Sequence, residues 1–273
     1  MYQVFQPKSE KLQKHIYNFA ILDTNSTLQE VNYFAFPQRG SSMAFYQNAA
    51  LEFQERNLHI SKAKSNQYSA IILGKYLIPL HLNYKNLVPE VSINFTPAGL
   101  NYFFDKSFQE IAPKNVQQLL DPEWINMVKE LFKPSSNEQQ IQVLENFLLQ
   151  RIKNKDLSIV EQSIALFQKN IQLKVSEIAN SLGVSTRTIT RNFEKYLGCT
   201  PAQYKRVIRF RSAIQNRFKP NQQHNLTQLC LLSEFYDSPH FTKEFKKLTH
   251  ISPRHFFKQV TPVGSQSYPY IFL

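Results

Sequence analysis

The 273-residue chain, 42% hydrophobic, is long enough for two domains with real cores, which excludes a disordered tail or a mini-protein. Two cysteines, Cys199 and Cys230, neither in a Cys-x-x-Cys pair, exclude a disulfide framework and a structural zinc site and favour a reducing compartment. The net charge of +12 is unevenly placed: residues 171–273 carry 15 Lys and Arg against 5 Asp and Glu, whereas residues 1–135 carry 13 against 11. A near-neutral half joined to a basic third is the footprint of a polyanion-binding module on a partner domain.

Residues 1–15, MYQVFQPKSEKLQKH, lack the basic-then-apolar order of a signal peptide, and no run of about 18 apolar residues follows, so a cytoplasmic protein with no membrane partner is expected. From about residue 15 to 105, short runs such as VNYFAFP, SMAFYQ, AIILGKYLIPLHL and VSINFTPAGL alternate with Pro, Gly and Asn, which predicts strands of a sandwich or barrel. Its aromatic residues, among them Phe34, Phe36, Phe45, Tyr46, Phe95, Tyr102 and Phe103, either line an apolar pocket or fill a plain core. His15, His59 and His81 form no His-x-His, so neither metal nor catalysis is expected, and no cofactor is assigned.

After Asp121-Pro122 the period becomes helical. Trp124, Met127, Val128 and Leu131, then Ile141, Leu144, Leu148 and Ile152, form two stripes separated at Lys133-Pro134. The second stripe could be a dimer seam or could pack on its own barrel. The expected organisation is α+β: a β-rich domain over 1–120, a helical linker over 121–155, an all-helical domain over 156–260 and a flexible tail over 261–273.

The basic third repeats itself. Ala179, Gly183, Ile189, Arg191, Phe193, Gly198 and Pro201 correspond to Cys230, Glu234, Phe241, Lys243, Phe245, His250 and Pro253, with an offset of 51 residues that becomes 52 after the turn. In the first copy Val175, Ile178, Ala179 and Leu182 stripe a short helix ending at Gly183. Ser185 caps a second helix that turns Ile189, Phe193 and Leu197 inward and Arg187, Thr190 and Arg191 outward. This is a helix-turn-helix: Arg can fork onto guanine O6 and N7, and Thr can meet a thymine methyl or a phosphate. In the second copy Leu226, Leu229 and Cys230 stripe the first helix, Ser238-Pro239 opens the next, and Phe241 and Phe245 point inward. Between the copies AQYKRVIRFRSAIQNRF forms a helix about 26 Å long, a spacer suited to two reading helices one DNA turn, about 34 Å, apart.

Residues 175–260 resemble the DNA-binding domain of AraC/XylS-type transcription regulators. The resemblance rests on Ala179-x3-Gly183, Ser185-x5-Arg191-x-Phe193, Gly198-x2-Pro201, Arg209-x3-Ala213, Phe235-x-Asp237, Phe241, Phe245-Lys246-Lys247 and Ser252-Pro253. It implies base reading by Arg187, Thr190 and Arg191 in the first unit and by Ser238, Pro239, Thr242 and Lys243 in the second, with Lys195, Lys246 and Lys247 on phosphates. Ser185, Thr186 and His240 complete the candidate DNA-contacting set. Glu234 and His250 stand where the family has glycine, so the second turn is expected to be bent differently or less stable, and the first unit to carry more of the discrimination.

The N-terminal half, through Phe95-Thr96-Pro97-Ala98-Gly99-Leu100 and Phe103-Phe104, resembles the cupin-like sensor domains that precede such DNA-binding domains. That resemblance implies an effector inside the barrel and a homodimer formed through the following helices. The expected protein is a sequence-specific transcription regulator whose partners are double-stranded DNA, a small-molecule effector and RNA polymerase. A cupin-like enzyme with an accessory DNA-binding domain, or an effector-independent DNA-binding protein, are the alternatives.

Overall fold

The computed structural model describes residues 2–22, 30–64, 67–75, 77–263 and 268–272. The chain divides into two compact units, one of Met1–Asn32, Gly40–Lys75 and His81–Asp156, the other of Tyr33–Arg39, Tyr76–Leu80 and Leu157–Leu273. The fold class is the α+β expected, with sheets first and helices last.

In chain order the elements begin β1 (Tyr2–Phe5), α1 (Glu10–Gln13), β2 (Ile16–Leu22), β3 (Val31–Ala35), β4 (Ser42–Gln47), β5 (Ala49–Gln54), β6 (Asn57–Lys62), β7 (Tyr68–Leu73), β8 (Leu80–Tyr84) and β9 (Glu90–Phe95). A 3-10 turn at Gly99–Phe103, α2 (Phe108–Ile111), β10 (Val116–Leu119), α3 (Pro122–Leu131) and α4 (Asn137–Arg151) follow. In the first unit one antiparallel sheet runs β1-β2-β9-β4-β7-β10. Beside it, β6 pairs with β5 antiparallel and with β8 in parallel.

Strand alternation gives the six-stranded sheet two unlike faces. One carries Phe19, Ile21, Met43, Phe45, Ala70, Ile72, Val91, Ile93 and Phe95, sealed in one cluster with Trp124, Met127, Val128 and Leu131 of α3 and Ile141, Leu144 and Leu148 of α4. The stripe at 141–148 therefore packs on its own barrel. Trp124 lies flat against Phe104, ring centroids 5.1 Å apart, and the Arg151 guanidinium lies over the Trp124 ring at 5.5 Å. The aromatics Phe45, Phe95 and Phe103 belong to this filled core.

The second unit holds α5 (Ser158–Lys169), α6 (Val175–Ser181), α7 (Thr186–Leu197), α8 (Pro201–Arg217), α9 (Leu226–Leu232), α10 (Ser238–Thr249) and α11 (Pro253–Gln259). Phe36 is buried in its second core, 4.9 Å from the ring of Phe256. Of the tail, residues 264–267 and 273 lie outside the described residues. The strands β11 (Thr261–Val263) and β12 (Tyr268–Phe272) pair with each other, and β12 pairs with Tyr33–Ala35. Among the described residues no helix is long and apolar enough to cross a membrane.

Candidate nucleic-acid interface

The duplication read from the sequence is reproduced atom for atom in the backbone. In the first copy Val184 N–H donates to Ala179 O at 2.9 Å and Gly183 N–H to Asn180 O at 3.2 Å, with Gly183 at φ +65°. These are the two reversed bonds of a Schellman turn, which closes a helix by placing one residue in the left-handed region. Fifty-one residues on, Phe235 N–H donates to Cys230 O at 3.1 Å and Glu234 N–H to Leu231 O at 3.0 Å, with Glu234 at φ +55°. The second turn is thus the same turn made without glycine. A bent alternative is not adopted, and the cost of a Cβ in this region, on the order of 1 kcal/mol, falls on Glu234.

Both second helices are capped by a side chain. Ser185 Oγ accepts from Thr188 N at 3.0 Å, and Asp237 Oδ1 accepts from His240 N at 2.7 Å. Asp237, rather than Ser238, is the cap of α10, so Ser238 is its first helical residue and Pro239 its second. The carboxylate also complements the helix dipole at that end. The cap follows Gly183 by two residues and Glu234 by three. Tyr236, 91% exposed, occupies the extra position. The helices close on equivalent left-handed residues too, Gly198 at φ +65° and His250 at φ +61°.

Helix α7 buries Ile189, Phe193 and Leu197 and exposes Thr186, Arg187, Arg191 and Lys195, with Thr190 half-buried at the boundary. Helix α10 buries Phe241, Phe245 and Leu248 and exposes Ser238, Pro239, Lys243, Lys246 and Lys247. Several of the candidate residues have local partners. The His240 ring packs against Phe235 at 5.8 Å, and Lys247 Nζ pairs with Glu244 Oε1 at 2.5 Å. Lys195 Nζ lies 5.0 Å from the ring of Tyr196.

Helices α7 and α10 both pack on α8, whose Tyr204, Val207, Ile208, Phe210, Ala213 and Ile214 are buried. Edge-to-face rings fix the contacts: Phe193 with Tyr204 at 5.6 Å on one side, Phe210 with Phe245 at 5.0 Å on the other. Arg206 of α8 forms an ion pair with Glu244 of α10, and Lys247 and Arg206 together hold that carboxyl below the usual carboxylate range despite its partial burial. Lys205 Nζ donates to Leu173 O at 2.8 Å, and Gln172 Nε2 donates to Glu234 O at 3.2 Å, so the loop before α6 is tied to both α8 and the second turn.

Sequence reading missed Asp237 as a cap, Tyr236 as the inserted residue and Gln172 as a tie. The change of offset from 51 to 52 was the signal for Tyr236. Ser238-Pro239 masked Asp237, because Ser is itself a strong cap. Cys199 and Cys230 are buried free thiols, and burial pushes the Cys230 thiol up. Among the described residues no group of three or more His, Cys, Asp or Glu converges as metal ligands.

Residues 178–259 match a family described as a helix-turn-helix domain. The chain is 28% identical over 110 residues to the HTH-type transcriptional regulator GbdR of Pseudomonas aeruginosa, a match covering 38% of this chain and 28% of that protein. It thus spans little more than a quarter of that relative's length. Solved structures are also similar to it. ToxT from Vibrio cholerae covers 94% of this chain and 98% of its own at 12% identity and TM-score 0.49. An AraC-type DNA-binding domain-containing regulator from Chromobacterium violaceum covers 36% and 87% at 29% identity and TM-score 0.32.

Proposed function

From the match of residues 178–259 to a helix-turn-helix domain, we propose that the chain is a sequence-specific transcription regulator of the AraC/XylS type. It reads duplex DNA with α7 and α10 and is controlled by a small molecule bound in its β-rich unit. The observation that carries this reading is the duplicated turn: two Schellman turns with the same pair of hydrogen bonds, each delivering a capped helix whose outward face is polar and basic and whose inward face is apolar.

Each part has a physical task. Arg187 and Arg191 lie one turn apart on the exposed side of α7, where a guanidinium can take guanine bidentately; Thr190 offers a methyl and a hydroxyl between them. Ser238, Thr242 and Lys243 are the corresponding probes on α10, with Pro239 adding only apolar contact. Ser185, Thr186 and the N–H groups at the start of α7 face the duplex, and Lys195, Lys246 and Lys247 supply phosphate contacts. No bond is made or broken in this role. The output is promoter occupancy, with RNA polymerase as the downstream partner. An effector acts by favouring one of two pre-existing arrangements. Pairing into a homodimer would double the number of reading helices on one operator.

Selection of duplexes from a random library by the full chain tests the reading. The expected product is a bipartite motif, bound with an affinity that falls steeply as salt rises because several phosphate-bound cations are released. Failure to enrich any motif, together with an affinity indifferent to salt, would refute it.

A further inference from the structure

On the central strands β2, β9 and β4, the face of the six-stranded sheet turned away from α3 and α4 carries mostly small and polar residues, whereas β7 adds Leu73 and Ile71 to the same rows. Strand register sets them in cross-strand rows: Asn18, Asn94 and Ser42 in one, Ala20, Ser92 and Ala44 in the next, Glu90 beside Tyr46 in the third. Asn94, Ser92 and Ser42 are only half-buried although β9 and β4 have a paired strand on either side. This face is thus more polar at its centre than the one sealed by α3 and α4, although Ile71 and Tyr46 are buried on it.

The first row is a chain of hydrogen bonds with a direction. Ser42 Oγ donates to Asn94 Oδ1 at 2.7 Å, and Asn94 Nδ2 donates to Asn18 Oδ1 at 2.9 Å. The chain ends on Asn18 Nδ2, which has no hydrogen-bond partner although Asn18 is 1% exposed. A buried amide left unpaired is costly, and a donor at the end of a polarised chain is a strengthened one. What such a group lacks is an acceptor oxygen.

We infer that this row is a ligand site that recognises a small neutral molecule by its carbonyl oxygen, which accepts from Asn18 Nδ2, while the apolar body lies over Ala20 and Ala44. The inference rests on the effector reading above and gives that site its residues. A neutral ligand is favoured because the three rows contain no Lys or Arg to pair with an anion. From the Asn18 row to the Glu90 row is four residues of strand, about 13 Å, which sets the length of the body.

Acetophenone, ethylbenzene and benzoate are matched probes: a carbonyl, its apolar isostere and an anion. With the full chain, acetophenone is expected to raise the thermal unfolding midpoint in a dose-dependent way, ethylbenzene and benzoate much less. Asn18→Leu, close in volume and without the amide, should abolish the acetophenone shift. Should that variant fail to fold, Ser42→Ala at the half-buried start of the chain should still raise the acetophenone concentration needed. Equal shifts from acetophenone and ethylbenzene, a larger shift from benzoate, no shift from acetophenone, or a full acetophenone response in the folded variants would each overturn the site. Binding of the selected duplex, measured on the same samples, separates the two failures: if it persists while the probe result is negative, the ligand site falls and the DNA reading stands.

Discussion

Gly183 and Gly40 put opposite demands on their positions. A Cβ built on Gly183 meets nothing within 4 Å, so only the φ of +65° favours glycine there, whereas a Cβ on Gly40 would stand 1.9 Å from the carbonyl oxygen of Phe95. Gly183→Ala should therefore cost about 1 to 2 kcal/mol by backbone strain alone. Gly40→Ala should cost more, because the sheet must part to admit it; chemical denaturation of the two variants measures the difference. Glu90 makes a further prediction. It is 4% exposed, accepts from Tyr84 Oη at 2.5 Å and Tyr2 Oη at 3.2 Å, and is also bonded to Tyr46; burial outweighs these bonds and pushes its carboxyl up to about 7. A carboxyl that holds its proton more tightly when folded contributes stability that is fully present below about pH 4.5 and is lost as pH rises to about 7. The loss is on the order of 3 kcal/mol at 1.36 kcal/mol per unit. Glu90→Gln should remove that part of the slope in denaturation curves taken between pH 5 and 8, and an unchanged slope would assign it to other groups. At the DNA face, Arg191→Ala should lower discrimination between the selected duplex and a single mismatch by about 1 to 3 kcal/mol. Equal losses on both duplexes would make Arg191 a phosphate contact.

At the scale of elements, α7 and α10, the proposed reading helices, differ in how they are started and what they rest on. Helix α7 follows a strain-free turn and a serine cap. Helix α10 follows Glu234 at φ +55°, an inserted Tyr236 and an aspartate cap, and is steadied by Arg206 through Glu244. The second unit thus depends more on its cap. Asp237→Ala should cost about 1 kcal/mol of stability and weaken the half-site read by α10 more than the one read by α7, as footprinting each half-site would report. Loss confined to the α7 half-site would contradict this assignment of helices. This part of the fold was legible because its signals are local: a glycine or its substitute, a capping oxygen and apolar residues at helical spacing, each stated twice. The cap itself was misplaced by one residue, since Asp237 and Ser238 are both good caps and only the backbone decides between them.

For the whole molecule, the sequence disclosed strands in the first half and helices in the second but not the order of the strands. The sheet order β1-β2-β9-β4-β7-β10 joins residues more than seventy positions apart, such as Phe19 with Ile93, and hydrophobic alternation carries no record of such pairings. The same holds for the Glu90 cluster, whose partners Tyr2, Tyr46 and Tyr84 are scattered through the chain, and for the Asn18, Asn94 and Ser42 row. Nor could composition anticipate that Tyr33–Arg39 falls in the same compact unit as the helices. Local periodicity sufficed for the DNA-reading unit, whereas the candidate effector site is assembled from long-range register alone.

The most direct test of the bipartite reading is the binding of the full chain to duplexes in which the two selected half-sites are moved apart in single base-pair steps. Two helices held on one rigid α8 predict tightest binding with the half-site centres about one turn apart, and a sharp loss when half a turn, about five base pairs, places them on opposite faces of the DNA. An affinity unchanged across that series would mean that α7 and α10 do not read one face of the duplex together.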